Sequence, residues 1–157
     1  MRSFWGTAIG IFAIDQFTKV WIVHWLDLKT RLAIDVLPPF LNLRMAWNKG
    51  VNFGLLSGDA EATRWILIAI AVAIAGWVIW WLPRQNAPVL ALISGGALVG
   101  GALGNIIDRV IYGAVADFLN MSCCGINNPF AFNVADIAIV VGALGLIFFL
   151  PNEKQTG

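Results

Sequence analysis

A chain of 157 residues that is 59 % hydrophobic and 12 % charged, with a mean hydropathy of +0.79, is not an ordinary soluble domain. A net charge of +1 without any basic run argues against nucleic acid as a partner. One His and two adjacent cysteines, Cys123 and Cys124, build neither a disulfide framework nor a zinc site, so no cofactor is expected.

Four apolar runs, at about 4–25, 65–82, 88–107 and 132–150, are each long enough to cross a bilayer, whose ~30 Å core takes roughly 20 helical residues. Only helices and closed barrels satisfy every backbone polar group in lipid, and runs of this length mean helices. The sequence therefore predicts an all-α polytopic membrane protein, one membrane domain over 1–157. It has four transmembrane helices and a small β-sheet insertion at about 27–63.

The first run carries Asp15 and Lys19, four apart with the acid first, the favourable order for a helical pair. These charges, and the absence of a small-residue cleavage pattern, make the run a retained helix rather than a signal peptide. The pair should face the bundle and lock this helix to its neighbours. His24, between Trp21 and Trp25, reads as part of an interfacial belt.

In the insertion, Leu32, Ile34 and Val36 alternate with Ala33, Asp35 and Leu37. After Pro38 and Pro39, Leu41, Leu43, Met45 and Trp47 alternate with Asn42, Arg44 and Ala46. A period of two predicts two strands broken at the prolines. The following NKGVNFG, from Asn48 to Gly54, has the glycines and amides of a tight turn. Such a sheet, with one apolar face, is expected to rest on the bilayer surface.

The second span has no polar residue inside it and Trp at both ends, the pattern of a lipid-facing helix. Pro83 to Pro88 is a minimal turn, so the next helix runs antiparallel to it. That third span presents Ser94, Gly95, Gly96, Ala97, Gly100, Gly101 and Gly104, a surface small enough for another helix to approach closely. At its end Asn105, Asp108 and Arg109 share a face, with Arg109 available to neutralise or orient a carboxylate.

The fourth span places Asp136, with Asn133 three residues earlier, within its first turns. An acid at a helix centre in the bilayer costs about 2.5–3.5 kcal/mol on insertion scales, less near an interface, and marks a functional site with a partner. Asp117 is that partner, because the short segment between them keeps both on one side of the membrane. Two carboxylates in one desolvated site share a proton, which equips them to deprotonate water and protonate a leaving amine. On spacing alone, two acids near helix ends are more often structural or ion-conducting than catalytic.

The blocks DQFTK (from Asp15), NKGVNFG (from Asn48), GGALGNIIDR (from Gly100), VADF (from Val115) and FNVAD (from Phe132) occur in that order on a four-span chain. In this combination the sequence resembles lipoprotein signal peptidase, or signal peptidase II, over essentially its whole length. The resemblance implies an intramembrane aspartyl endopeptidase that cuts prolipoproteins before a diacylglyceryl-modified cysteine, with Asp117 and Asp136 as the catalytic pair. Asp15, Asn48, Gly50, Asn105, Asp108, Arg109 and Asn133 would be the substrate-binding or supporting residues. It further implies a bacterial inner membrane location, cytoplasmic termini, and a periplasmic sheet and active site in contact with membrane lipid. Globomycin-type peptides would occupy the substrate site.

The sequence departs from the family where Val51 and Asn52 stand in place of small residues, and no role is assigned to Cys123 and Cys124. Charge counting opposes the implied orientation. Lys29, Arg31, Arg44, Lys49, Arg64 and Arg109 fall on the presumed outer side, against Arg2, Arg84 and Lys154 inside. Two alternatives use the same residues differently. One is a small proton-coupled transporter or channel relaying through Asp15, Asp117 and Asp136. The other is a non-catalytic assembly factor docking through the glycine-rich span.

Overall fold

The computed structural model describes residues 1–50, 60–125 and 128–150. Helix α1 (Arg2–Lys19) runs on into a π-helical segment, Val20–Trp25. Only Phe4, Ala8, Asp15 and Lys19 of α1 are buried, one narrow stripe down the helix. Trp5, Ile9, Ile14, Phe17 and Trp21 point outward, a surface suited to lipid tails.

After the short helix α2 (Leu28–Arg31), strands β1 (Ala33–Leu37) and β2 (Leu41–Asn48) pair antiparallel around the proline corner. Ile34 lies opposite Leu43 and Asp35 opposite Asn42. Of the predicted Asn48–Gly54 turn, the part from 51 to 54 lies outside the described residues. Gly50 has φ +80°, a conformation that favours glycine.

Helix α3 (Ala60–Trp81), a 3₁₀ turn at Leu82–Arg84 and helix α4 (Val89–Tyr112) follow. Both helices outrun their apolar cores: α3 opens with polar Glu61, Thr63 and Arg64, and α4 continues through Asp108 and Arg109. Hydropathy does not register such ends. Arg64 Nη2 donates to the Val110 carbonyl at 2.8 Å, tying the start of α3 to the end of α4. Gly113, at φ +77°, provides the left-handed residue that stops α4.

Helix α5 (Val134–Phe149) closes the bundle. Arg2–Trp25, Glu61–Arg84 and Val89–Tyr112 are long and apolar enough to cross a membrane. The equally apolar α5 is shorter, 16 residues, about 24 Å at 1.5 Å per residue. Helix α4 is central, packed against α1, α3 and α5. A Cβ at Gly100 would fall on the Ala8 carbonyl of α1, and one at Gly101 would lie 2.5 Å from the Ala135 carbonyl of α5. These neighbouring glycines let two helix backbones touch α4 on different sides.

A third strand, β3 (Val115–Asn120), pairs antiparallel with β2 and gives the order β1-β2-β3. Periodicity does not reveal it. Apart from Leu119 its residues are buried, so both faces are covered and no apolar–polar alternation marks it. Leu43, Ala116 and Phe118 pack on Val23 and Leu28, seating the sheet on the π-helical segment and α2. Leu119 bridges to Phe132 through hydrogen bonds of 2.8 and 3.0 Å. The sheet, the end of α4 and the start of α5 thus meet at one end of the bundle.

Candidate active site

Asn133 is the N-cap of α5, and its bonds place Asp136. Asn133 Oδ1 accepts from the Asp136 backbone N–H at 2.9 Å, and Asp136 Oδ2 accepts from the Asn133 backbone N–H at 3.2 Å. This reciprocal capping box satisfies two N–H groups that would otherwise be unpaired at the helix start. Asp136 Oδ1 turns to Asn105 of α4, whose Nδ2 donates to it at 2.8 Å.

The same fully buried Asn133 side chain reaches β3. Its Nδ2 donates to Asp117 Oδ1 at 2.7 Å, with longer contacts to Asn105 Oδ1 at 3.3 Å and the Ala116 carbonyl at 3.4 Å. One residue therefore bonds both aspartates. Asp117 Oδ2 accepts from Asn48 Nδ2 at 3.1 Å. That contact follows from register: Ala46 lies opposite Asp117 and Asn48 opposite Val115, so Asn48 and Asp117 are diagonal neighbours. Asn48 Oδ1 also accepts from the Gly50 N–H at 2.9 Å, so Asn48 forms the turn and supports the site at once.

Asp117 is 2 % exposed. Burial first, and then the charge of Asp136, push its carboxyl up to about 6 against the opposing bonds from Asn48 and Asn133. A carboxyl raised this far holds a proton much closer to neutrality than an ordinary aspartate.

Behind the pair lies a buried ionic cluster. Lys19 Nζ is 2.8 Å from both Asp15 Oδ2 and Asp108 Oδ2, and donates to Asn105 Oδ1 at 3.2 Å. Gln16 Nε2, which no sequence pattern singles out, donates at 3.2 Å to each acid. Arg109 lies near the pair without bonding to either aspartate. Its Nη1 donates only to the Asn105 carbonyl of its own helix, at 3.4 Å, and among the described residues it forms no ion pair. Its charge acts on Asp136 and Asp117 through space.

Two concave surfaces lie near the pair, one lined by Asp117 and the other by Asn105, which bonds Asp136. A cleft of about 430 Å³ is lined by Trp47, Asn48, Lys49, Asp117 and Phe130, where the sheet meets the segment before α5. A groove of about 400 Å³ runs between α3, α4 and α5, apolar along Leu67, Ile70, Ile74 and Ile139, with Asn105 and Arg109 also on its wall. Cys123 and Cys124 are exposed in the segment after β3 and line neither. Among the described residues no group of three or more His, Cys, Asp or Glu is placed to hold a metal ion. The arrangement suits general acid–base catalysis by two carboxyl groups.

Known proteins are similar to this chain in sequence and fold. The sequence profile described as signal peptidase (SPase) II matches residues 7–151. A lipoprotein signal peptidase of a Methylobacterium species (strain 4-46) is 42 % identical over 142 residues, covering 90 % of this chain and 84 % of the relative. One from Rhodopseudomonas palustris (strain ATCC BAA-98 / CGA009) is 41 % identical, covering 91 % and 89 %. A solved structure of a bacterial membrane enzyme superimposes with a TM-score of 0.77 at 29 % identity, covering 96 % of this chain and 92 % of that one. With its apolar helices, its near-complete profile match and these relatives, the chain is a multi-pass membrane protein that belongs to the signal peptidase II family.

Proposed function

We propose that the protein is an intramembrane aspartyl endopeptidase that removes the signal peptide from prolipoproteins, cutting before the diacylglyceryl-modified cysteine. The observation that carries this reading is Asn133, bonding Asp117 and Asp136 from two different elements. One carboxylate takes a proton from water as its oxygen attacks the scissile carbonyl. The other gives its proton to the leaving amine, and the pair ends with the proton count it began with. The raised proton affinity of Asp117 keeps that shared proton available.

The two concavities match the two halves of such a substrate. The polar cleft beside Asp117 suits an extended peptide, and the groove walled by α3 and α5 suits acyl chains. Asn48, Gly50, Asn105 and Asn133 orient the pair, while Asp15, Asp108 and Arg109 support it. In this reading the sheet and the aspartates face the periplasm from a bacterial inner membrane, with both termini cytoplasmic. Globomycin-type peptides bind in the cleft. The transporter alternative gains no support, because Asp15 is fully buried and bonded on both oxygens.

The deciding experiment incubates the purified protein with a lipid-modified prolipoprotein. A product shortened to the modified cysteine is expected, and an uncut substrate would refute the reading. Strong chelators should leave the rate unchanged; inhibition reversed by added zinc would overturn the two-carboxylate chemistry.

Asn48 offers a finer test. Asn48→Ala removes both the bond to Asp117 and the Gly50 cap, so the rate should fall about 10- to 100-fold and stability by about 1 kcal/mol. Asn48→Asp keeps the acceptor for Gly50 but opposes Asp117 with a second acid. It should retain the thermal midpoint better than Asn48→Ala while losing at least as much activity. Equal rates for Asn48→Asp and the parent would reduce Asn48 to a turn former.

A further inference from the structure

The ion cluster behind the pair has a geometry that burial and charge balance alone do not require. Asp15 Oδ1 accepts from the Ala135 N–H at 2.9 Å, and Asp108 Oδ2 accepts from the Ala116 N–H at 3.1 Å. Ala135 immediately precedes Asp136, and Ala116 immediately precedes Asp117. Each acid of the cluster thus grips the backbone next to one member of the pair, one from α1 onto α5 and one from α4 onto β3. Lys19 Nζ joins the two acids at 2.8 Å each.

An ammonium has three N–H donors. The third goes to Asn105 Oδ1 at 3.2 Å. That oxygen also accepts from Asn133 Nδ2, so with two donors on one side the Asn105 amide turns its Nδ2 to Asp136. With Oδ1 and Nδ2 exchanged, the Asn105 amine would face two donors and Asp136 Oδ1 would face a carbonyl. All three donors of Lys19 are therefore engaged: one leads through Asn105 to Asp136, and two lead through Asp15 and Asp108 to the residues that precede Asp136 and Asp117.

The geometry points to Lys19 as a positioning residue that fixes the separation and mutual orientation of Asp117 and Asp136. The inference rests on the reading of those two aspartates as the reacting groups. It adds a spacer: the ammonium sets how far the start of α5 stands from β3, and which atom of Asn105 meets Asp136. Lys19 is 5 % exposed and does not line the cleft, so its contacts to the pair run through these neighbours, although its charge also reaches Asp117 through space. A compact ammonium is suited to this, since a planar guanidinium could not meet three converging acceptors from one point.

Lys19→Met keeps the aliphatic stem and removes the bridge. Measured per folded molecule with a lipid-modified prolipoprotein, kcat should fall about 10²-fold, the loss that a misplacement of about 1 Å brings, while KM stays within about twofold. Two carboxylates and one ammonium give the cluster a charge of −2 + 1 = −1, and Lys19→Met raises the burden to −2. The double variant Asp15→Asn/Lys19→Met restores −1, and its new amide still offers an oxygen to the Ala135 N–H. A charge-balancing lysine would be made dispensable by that rescue. A spacer would not, so the double variant should regain the parental thermal midpoint while kcat stays about 10²-fold low.

A parental kcat in either variant, or a KM rise that accounts for the whole loss, overturns the inference. So does a double variant whose kcat recovers in step with its stability. Asp117→Asn and Asp136→Asn belong in the same assay. Turnover in either of them would sink the two-aspartate reading itself, whereas their inactivity beside active Lys19 variants would sink the spacer alone.

Discussion

Asp117→Asn and Asp136→Asn are each expected to lower cleavage by at least about 10²–10⁴-fold, the share that positioned proton transfer contributes. Asparagine keeps the size of aspartate but cannot exchange a proton with water or a leaving amine. The hydrogen bonds show why inactivity would not be the only change. Asp136 accepts on both oxygens, from Asn105 and from the Asn133 N–H, and Asp117 accepts on both, from Asn48 and Asn133. Asparagine has one acceptor oxygen, so in each variant one donor faces an amine, a loss of about 1–3 kcal/mol at a buried bond. The variants should still insert, with α4 and its glycine contacts unaffected, so folded protein can be purified and assayed. Near-parental turnover in either variant would remove that aspartate from the reaction.

Helices and site were legible in the sequence to different degrees, for physical reasons. Long apolar runs report on lipid, so the spans stood out, but their polar first and last turns did not. Glu61 and Arg64 in α3, and Asp108 and Arg109 in α4, are helical residues that hydropathy scores as loop. Strands β1 and β2 showed a period of two in residue type, although burial does not alternate along them: Val36 and Leu37 are both exposed, and Asn42 and Leu43 both buried. Strand β3, covered on both faces, could not show it, although it carries Asp117.

Among the site residues, spacing within one helix paired Asp15 with Lys19 and grouped Asn105 with Asp108 and Arg109. It could not show that Lys19 reaches across to Asp108, 89 positions later in the chain, or that Arg109 forms no ion pair among the described residues. Those facts depend on how closely α1 and α4 approach, which Gly100 and Gly104 set. A Cβ at Gly104 would fall on the Asp15 carboxylate itself. The small-residue surface reads as packing from the sequence. In three dimensions it is also what admits Asp15 to the α4 backbone and lets the ion cluster form.

Asn133→Asp should separate the folding role of this residue from its role at the site. Aspartate is as good an N-cap as asparagine, so the acceptor for the Asp136 N–H, and with it the start of α5, is kept. The atom that changes is Nδ2, now an oxygen facing Asp117 Oδ1 at 2.7 Å, Asn105 Oδ1 at 3.3 Å and the Ala116 carbonyl at 3.4 Å. Three acceptors then surround a fourth, and the new acid sits against Asp117. Cleavage should fall at least about 10²-fold, since the side chain no longer donates to Asp117, while the backbone N–H of residue 133 still meets Asp136 Oδ2. The variant also carries a sign in pH. Protonated, the introduced carboxyl can donate to Asp117 as the amide did; ionised, it is buried beside a like charge. Its folded-state proton affinity is therefore raised, and the stability that goes with protonation is present at low pH and lost as pH rises. The gap in thermal midpoint between variant and parent should widen from about pH 4 to about pH 8, a window that spans the ordinary carboxylate value and the raised one. Asn133→Ala, which removes the cap as well, should instead lose about 1 kcal/mol at both pH values. A pH-independent gap in Asn133→Asp, together with parental turnover, would show that Asn133 caps α5 and does nothing more.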